Sequence, residues 1–262
     1  LSETLPLSGL YVLVTRPAHQ ATYLVNKIKE MGGNPVLLPV LEISDTKDPQ
    51  SLLKAIDRLA EFDLAIFVSP NAVDKAMRLI QASRTLPPNL KIAVVGEGSA
   101  NKLRQYGVND IIVPTHRHDS EALLEMAELQ QVLNKHIIIF RGNKGRRLLG
   151  DTLVQRGARL EYIECYRRDK PKTDTSLLLN HWSNNALHAV TITSSEGLHN
   201  LFDMAGKVGQ QLLKETPLFT AHERIAHVAK ELGLTNVHVT AAGDDGLVQG
   251  LLEHFLSIRN QT

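Results

Sequence analysis

Eight short stretches set hydroxyls, amides or arginines immediately after apolar runs. They are Thr15-Arg16-Pro17, Ser69-Pro70-Asn71, Gly96-Glu97-Gly98-Ser99 and Pro114-Thr115-His116, then Arg141-Gly142-Asn143, Thr193-Ser194-Ser195, Thr220-Ala221-His222 and Thr240-Ala241-Ala242. A helix that starts where a strand ends presents unpaired N–H groups and a positive dipole, so such turns suit anions. The spacing nominates Thr15, Arg16, Ser69, Asn71, Gly96, Arg141, Gly142, Ser194, Ser195 and His222 as ligand-binding positions. Ser, Thr and Asn also start helices simply as N-caps, so each hydroxyl has a bland reading beside the functional one.

Other chemistries fare worse. GEGSAN at 96–101 follows a strand and opens a helix, but Asn101 stands where a dinucleotide fingerprint needs its third glycine, and no acidic residue ends the next strand. RGNKGRR at 141–147 lacks the spacing and Lys-Ser/Thr ending of a P-loop. His116-Arg117-His118 has no cysteine or carboxylates arranged for a metal, and no metal site is expected. No serine sits in a GxSxG elbow, and Cys165 falls in a strand-like run rather than an electropositive turn. What remains is positioning plus one acid or base. Tyr166, beside Arg167 and Arg168, is the best single acid; its alternative is an aromatic packed against a strand.

The elements that must hold these turns are short, often β-branched runs near 11–15, 35–39, 64–68, 91–95 and 110–113, then 137–140, 159–165, 189–193, 217–220 and 236–240. Helical patterns lie between them. Pro17 suits a first helical turn, where its missing N–H costs nothing. After it, Ala21, Leu24, Val25, Ile28 and Met31 recur at helical spacing, and Gly32 follows as a stop. This alternation predicts parallel α/β sheets with helices on both faces.

The chain also repeats itself. An offset of 125 residues places Arg16 on Arg141, Gly32 on Gly157 and Ser69 on Ser194; one residue more places Gly107 on Gly233 and Asp119 on Asp245. One offset held across strands, turns and helix faces predicts an internal duplication into two α/β units. The division falls either near residue 134 or, if Val40-Leu41-Glu42-Ile43 and Cys165-Tyr166-Arg167-Arg168 both cross over, so that each domain takes part of each repeat. Two similar lobes would frame a cleft suited to a small molecule.

Bulk properties narrow the class. A net charge of +1 over 262 residues gives no global field for nucleic acid. One cysteine excludes an internal disulfide. The opening LSETLPLSGL has no basic or apolar region of a secretion signal, and no apolar run approaches membrane length. A soluble cytoplasmic chain is expected.

VLVTRP at 12–17, FVSPNAV at 67–73, VVGEGSANKLRQYG at 94–107, ITSSEGL at 192–198 and Tyr166 in IECYRR together resemble the uroporphyrinogen-III synthase family, from about Leu10 to Phe255. The resemblance implies two similar flavodoxin-like three-layer α/β domains with parallel sheets, joined by two crossing strands. It favours the exchanged division: 1–40 with 167–262, 43–164 inserted, and linkers at about 41–43 and 164–167. It implies a lyase of porphyrin biosynthesis (haem, sirohaem, cobalamin) that closes the linear tetrapyrrole hydroxymethylbilane, inverts its terminal pyrrole ring and releases water. No cofactor is implied. Tyr166 matches the tyrosine proposed in the family as the acid, and the strand-end turns would grip acetate and propionate arms. A monomer is expected, without nucleic acid or membrane, and there is room for handover from the preceding pathway enzyme. Glu196 after Ser195, where the family often has proline, and Glu97 depart from the pattern and are expected to point away. The rival reading is a non-catalytic, two-lobed small-ligand-binding module.

Overall fold

A computed structural model describes residues 5–260; the first four residues, part of the stretch read for a secretion pattern, lie outside it, as do the last two. The strands are β1 (Tyr11–Val14), β2 (Asn34–Leu37), β3 (Glu42–Asp45), β4 (Leu64–Phe67), β5 (Lys91–Val94), β6 (His136–Gly142), β7 (Arg159–Asp169), β8 (Ala189–Thr191), β9 (Leu218–Thr220) and β10 (Val237–Val239). The helices are α1 (Ala18–Glu30), α2 (Pro49–Asp57), α3 (Pro70–Ser83), α4 (Glu97–Gln105), α5 (Ser120–Glu125), α6 (Ala127–Gln130), α7 (Leu148–Gln155), α8 (Ser176–Ser183), α9 (Ser195–Glu215), α10 (Glu223–Glu231) and α11 (Gly243–Arg259). They fall into two compact units, one of residues 1–42 with 169–262 and the other of residues 43–168.

The first unit holds a parallel sheet in the order β10-β9-β8-β1-β2. Its three central strands, β1, β8 and β9, are buried on both faces, as parallel sheets favour, while the edge strands β2 and β10 are partly exposed. Leu13, Val190 and Leu218 face one way, into a core with Leu178, Leu201 and Ile225 from α8, α9 and α10. Val12, Val14 and Phe219 face the other way, against Leu24 and Ile28 of α1 and Leu251 of α11. Three layers result.

The second unit has the order β3-β7-β6-β4-β5, with a single parallel bridge from Ala93 to Ile112 beyond β5. Ala65, Phe67, Ile138 and Phe140 pack on α2, α3 and α4. Leu64, Ile66, Ile137 and Ile139 pack on α5, α6 and α7. Set aside β3, and both units share one plan: the first two strands of one repeat, β1-β2 or β6-β7, pair with the last strands of the other. This is the 2-1-3-4-5 order of flavodoxin-like folds, complete in the first unit and, in the second, with the Ile112 bridge standing in the fifth place.

The duplication extends to backbone angles. Gly32 and Gly157 follow α1 and α7 with φ of 86° and 88°. That left-handed conformation reverses the chain after a helix and strains any residue with a Cβ.

Several local expectations change. Residues 110–113 form the Ile112 bridge and not a full strand. Pro17 is the N-cap of α1, outside its first turn. β3, a polar EISD segment with no apolar run, carries no periodic signal and is nonetheless a strand beside β7. The crossing strand expected at about 164–167 corresponds in position to the later part of β7, which continues to Asp169.

Candidate functional site

The carboxyl ends of the strands in the second unit bring together Ser69, Tyr166 and Gly142. β6 and β7 pair in regular parallel register from His136 with Arg159 up to Arg141 with Glu164, and then Gly142 faces Tyr166. The extra residue, Cys165, is a β-bulge. Its consequence is a change of face. Regular alternation would put Tyr166 on the side of Tyr162 and Glu164; past the bulge, Tyr166 joins Cys165 in the core against α3.

There its ring is buried, 7% exposed, and its hydroxyl lies 2.9 Å from Ser69 Oγ. Ser69 is the N-cap of α3, and its Oγ also accepts the Ala72 N–H at 3.1 Å. The ring lies against Gly142 so closely that a Cβ on that glycine would sit 2.8 Å from Tyr166 Cζ. Asn71 is in the first turn of α3, half-buried, and Gly96 is the N-cap of α4 with extended backbone angles. The phenol therefore stands at the positive end of a fourteen-residue helix, where developing negative charge is favoured.

Arg141 points to the other face. Its guanidinium stacks over Tyr162, 5.0 Å from the ring centroid, and its Nε donates to Gly142 O at 3.3 Å. No carboxylate pairs with it among the described residues. It lines a cavity of about 210 Å³ with Val95, Ile139, Lys144 and Arg146, and a neighbouring hollow of about 450 Å³ with Asn143, Lys144 and Arg147. Arg146 is tied to Glu121, and Arg147 lies 3.7 Å from Asp151 on the surface. A roomier hollow of about 710 Å³ lies at the amino end of β5, beside Pro87 and Lys91. Ligands of parallel sheets sit beyond the carboxyl ends, so that hollow is not the candidate.

In the first unit, the equivalent turns are committed differently. Thr15 is buried and its hydroxyl donates to Thr191 O at 2.8 Å, so its side chain clasps β1 to β8 and is turned away from any ligand. Arg16 is ion-paired with Asp244 in the first turn of α11. Ser194 caps α9, accepting the Gly197 N–H at 2.9 Å. Ser195 Oγ and Thr220 Oγ1 are buried without a hydrogen-bond partner among the described residues. An unsatisfied buried hydroxyl costs about 1–3 kcal/mol, which a ligand atom can recover. His222 is the N-cap of α10 and exposed, with no side-chain cap bond. The sequence makes Arg16 and Arg141 look like a matched pair; the structure leaves only Arg141 without a carboxylate.

Other reactive groups offer the site little. Burial pushes the Cys165 thiol up to about 12, so it is no nucleophile at neutral pH. No cluster of three or more metal-ligating side chains occurs among the described residues. Glu97 pairs with Arg104 along α4. Sequence reasoning missed Tyr162 as the platform for Arg141 and Asp244 as the partner of Arg16. A period-2 count along 159–164 would have found the first, since Tyr162 and Arg141 share the face of Ile139; nothing local announces the second.

The family described as uroporphyrinogen-III synthase HemD matches residues 23–249. The uroporphyrinogen-III synthases of Salmonella typhimurium strain LT2 and Escherichia coli K12 are each 32% identical to this chain over 243 residues, spanning 92% of it and 99% of the relative. Among solved structures, a mutant uroporphyrinogen III synthase from Thermus thermophilus aligns with a TM-score of 0.67 at 17% identity, covering 95% of this chain and 99% of that one. The uroporphyrinogen-III synthetase of Helicobacter pylori 26695 aligns at 0.54 with the same identity and coverage. At that identity the two structures speak for the fold, and the sequence matches speak for the lineage: this chain belongs to the uroporphyrinogen-III synthase family.

Proposed function

We propose that the chain is a cyclising lyase that converts hydroxymethylbilane to uroporphyrinogen III, closing the macrocycle with inversion of the terminal pyrrole ring and release of water. The observation that carries this reading is the family match over nearly the whole chain, joined to a phenol held at a helix N-terminus at the carboxyl end of a sheet. Tyr166 donates its proton to the departing hydroxyl, giving water, a phenolate and an azafulvenium cation that keeps its ring N–H. The terminal ring then attacks through its substituted carbon to form a spiro intermediate, which fragments and recloses inverted. The proton finally lost from the ring carbon restores the phenol, so no net proton is consumed. A positioned general acid contributes roughly 10²–10⁴-fold to such a step.

The substrate closes without inversion when unassisted, so the main task is selecting a conformer of a flexible polyanion. Arg141, the first-turn N–H groups of α3, α4 and α9, and the hydroxyls of Ser194 and Ser195 suit its carboxylate arms. Asn71, Gly96 and Gly142 stand at strand ends of the second unit and His222 at a strand end of the first, and Arg16 is reserved for Asp244. The chain acts as a cytoplasmic monomer on a small molecule, without cofactor, nucleic acid or membrane.

The test is to incubate the protein with freshly made hydroxymethylbilane and resolve the product isomers. Predominantly inverted product supports the reading. Only the non-inverted isomer, at the spontaneous rate, returns the chain to the class of ligand-binding modules.

A further inference from the structure

The two units carry the same helix-capping serine at equivalent places, yet only one of them faces a tyrosine. Ser69 and Ser194 each accept an N–H from the first turn of their helix, at 3.1 Å and 2.9 Å. Position 166 of the second unit corresponds to position 41 of the first, and there the chain has Leu41, whose methyl lies 3.9 Å from where a Gly197 Cβ would stand. Capping therefore needs no phenol. In the second unit three features converge on that phenol: the Cys165 bulge that turns Tyr166 to this face, Gly142 with no side chain to obstruct the ring, and Ser69 Oγ at 2.9 Å.

We propose that Ser69 is a positioning residue for the Tyr166 hydroxyl and not a contact for the substrate's carboxylates. The inference rests on Tyr166 being the acid. Ser69 Oγ is itself held in place, because it accepts the Ala72 N–H. Its single proton is then available to donate to the phenol oxygen, 2.9 Å away, as Tyr166 releases its own proton to the leaving hydroxyl. The bond is neutral before the step and charge-assisted after it, so it strengthens as the phenolate forms. Gly142 and the bulge fix where the phenol stands; Ser69 fixes which way its oxygen is turned.

The test compares Ser69→Ala, Ser69→Thr, Tyr166→Phe and the double variant Ser69→Ala/Tyr166→Phe by steady-state kinetics, and the tyrosine Cζ resonances of protein labelled with ring-¹³C tyrosine. Thr retains both the cap and the hydroxyl. The expected result for Ser69→Ala is a kcat lowered roughly ten- to a hundredfold, the scale of one hydrogen bond to a charged group, with KM within about twofold of the parent. Ser69→Thr restores kcat, and Ser69→Ala has no further effect in the Tyr166→Phe background. The Tyr166 Cζ resonance, assigned by its loss in Tyr166→Phe, moves in Ser69→Ala and returns in Ser69→Thr.

A raised KM with kcat intact assigns Ser69 to the substrate and overturns the proposal. So does an equal loss in both backgrounds, or an unmoved Tyr166 resonance. Full turnover by Tyr166→Phe removes the acid itself, and with it the reading on which this inference rests; the resonance still reports whether Ser69 holds the phenol.

Discussion

At the residue scale, the two arginines that end β6 and follow β1 separate by what already binds them. Arg16 has its charge met by Asp244, with both side chains largely shielded from solvent. Arg141 has a tyrosine face and a carbonyl, neither of which neutralises it. Arg141→Ala is therefore expected to raise KM about tenfold or more with a smaller change in kcat, since a charge-assisted contact to a carboxylate is worth about 1.5–3 kcal/mol. Arg16→Ala is expected to leave KM within about threefold and to cost about 1–3 kcal/mol of stability, because the Asp244 carboxylate left unpaired is largely shielded from solvent. Steady-state kinetics and urea melts of both variants check this. A KM effect as large for Arg16 as for Arg141 would mean that substrate displaces Asp244.

At the element scale, the decisive feature is one extra residue in β7. Without the Cys165 bulge, the phenol would share the face of Tyr162 and lie away from α3. Gly142 is the other half of that arrangement, and Gly142→Ala drives a methyl into the ring. Overpacking of this kind costs about 1–3 kcal/mol. The expected outcome is lowered kcat together with a lowered denaturation midpoint, read by activity and chemical melts; wild-type kcat would show that the ring's seat is not critical.

Elements of this kind differ in how far the sequence discloses them. Val12–Val14, Ile66–Phe67 and Ile137–Phe140 are legible because a strand buried on both faces must be apolar throughout. The helix starts at Ser69 and Ser194 are legible because capping is a local act. β3 is not, because an edge strand half open to solvent can be EISD as readily as an apolar run. The bulge is not, because pairing registers are set between strands. The Arg16–Asp244 pair is not, because its partners lie at opposite ends of the chain. Tyr166 is nominated by elimination of the other chemistries and then matched by the resemblance; its bond to Ser69 comes only with the fold.

At the scale of the whole molecule, the units differ in how they respond to acid. Burial holds His188, His238 and His254 below the ordinary imidazole value of 6.5, with the His238 charge adding to the effect at His254. All three belong to the first unit. His188 Nδ1 accepts the Tyr11 N–H at 2.9 Å; His238 stacks on Phe219 and meets His254 edge-on at 4.5 Å. In the pH window between these depressed values and 6.5 the unfolded chain binds more protons than the folded one, so stability rises with pH there. The contribution is full above about 6.5 and is lost as pH falls below it. Trp182, the single tryptophan, is buried in the same unit and donates to Thr216 Oγ1 at 3.0 Å. Its fluorescence therefore reports that unit. The urea midpoint followed by Trp182 is expected to fall between about pH 7 and pH 5.5, and less so when His238 and His254 are replaced by Gln. A flat midpoint over that range would contradict imidazoles held neutral by their half-buried setting.

The same scale holds the central claim, that the chain closes a tetrapyrrole with inversion through Tyr166. Replacing Tyr166 by Phe keeps the buried ring and removes only the hydroxyl. The direct measurement is the isomer ratio formed from hydroxymethylbilane by the parent protein and by Tyr166→Phe under matched conditions. The prediction is inverted product from the parent and a shift toward the spontaneous, non-inverted isomer in the variant, because a roughly 10²-fold slower enzymatic step lets the background reaction compete. An unchanged ratio and rate in Tyr166→Phe would contradict the account and leave Tyr166 as packing alone.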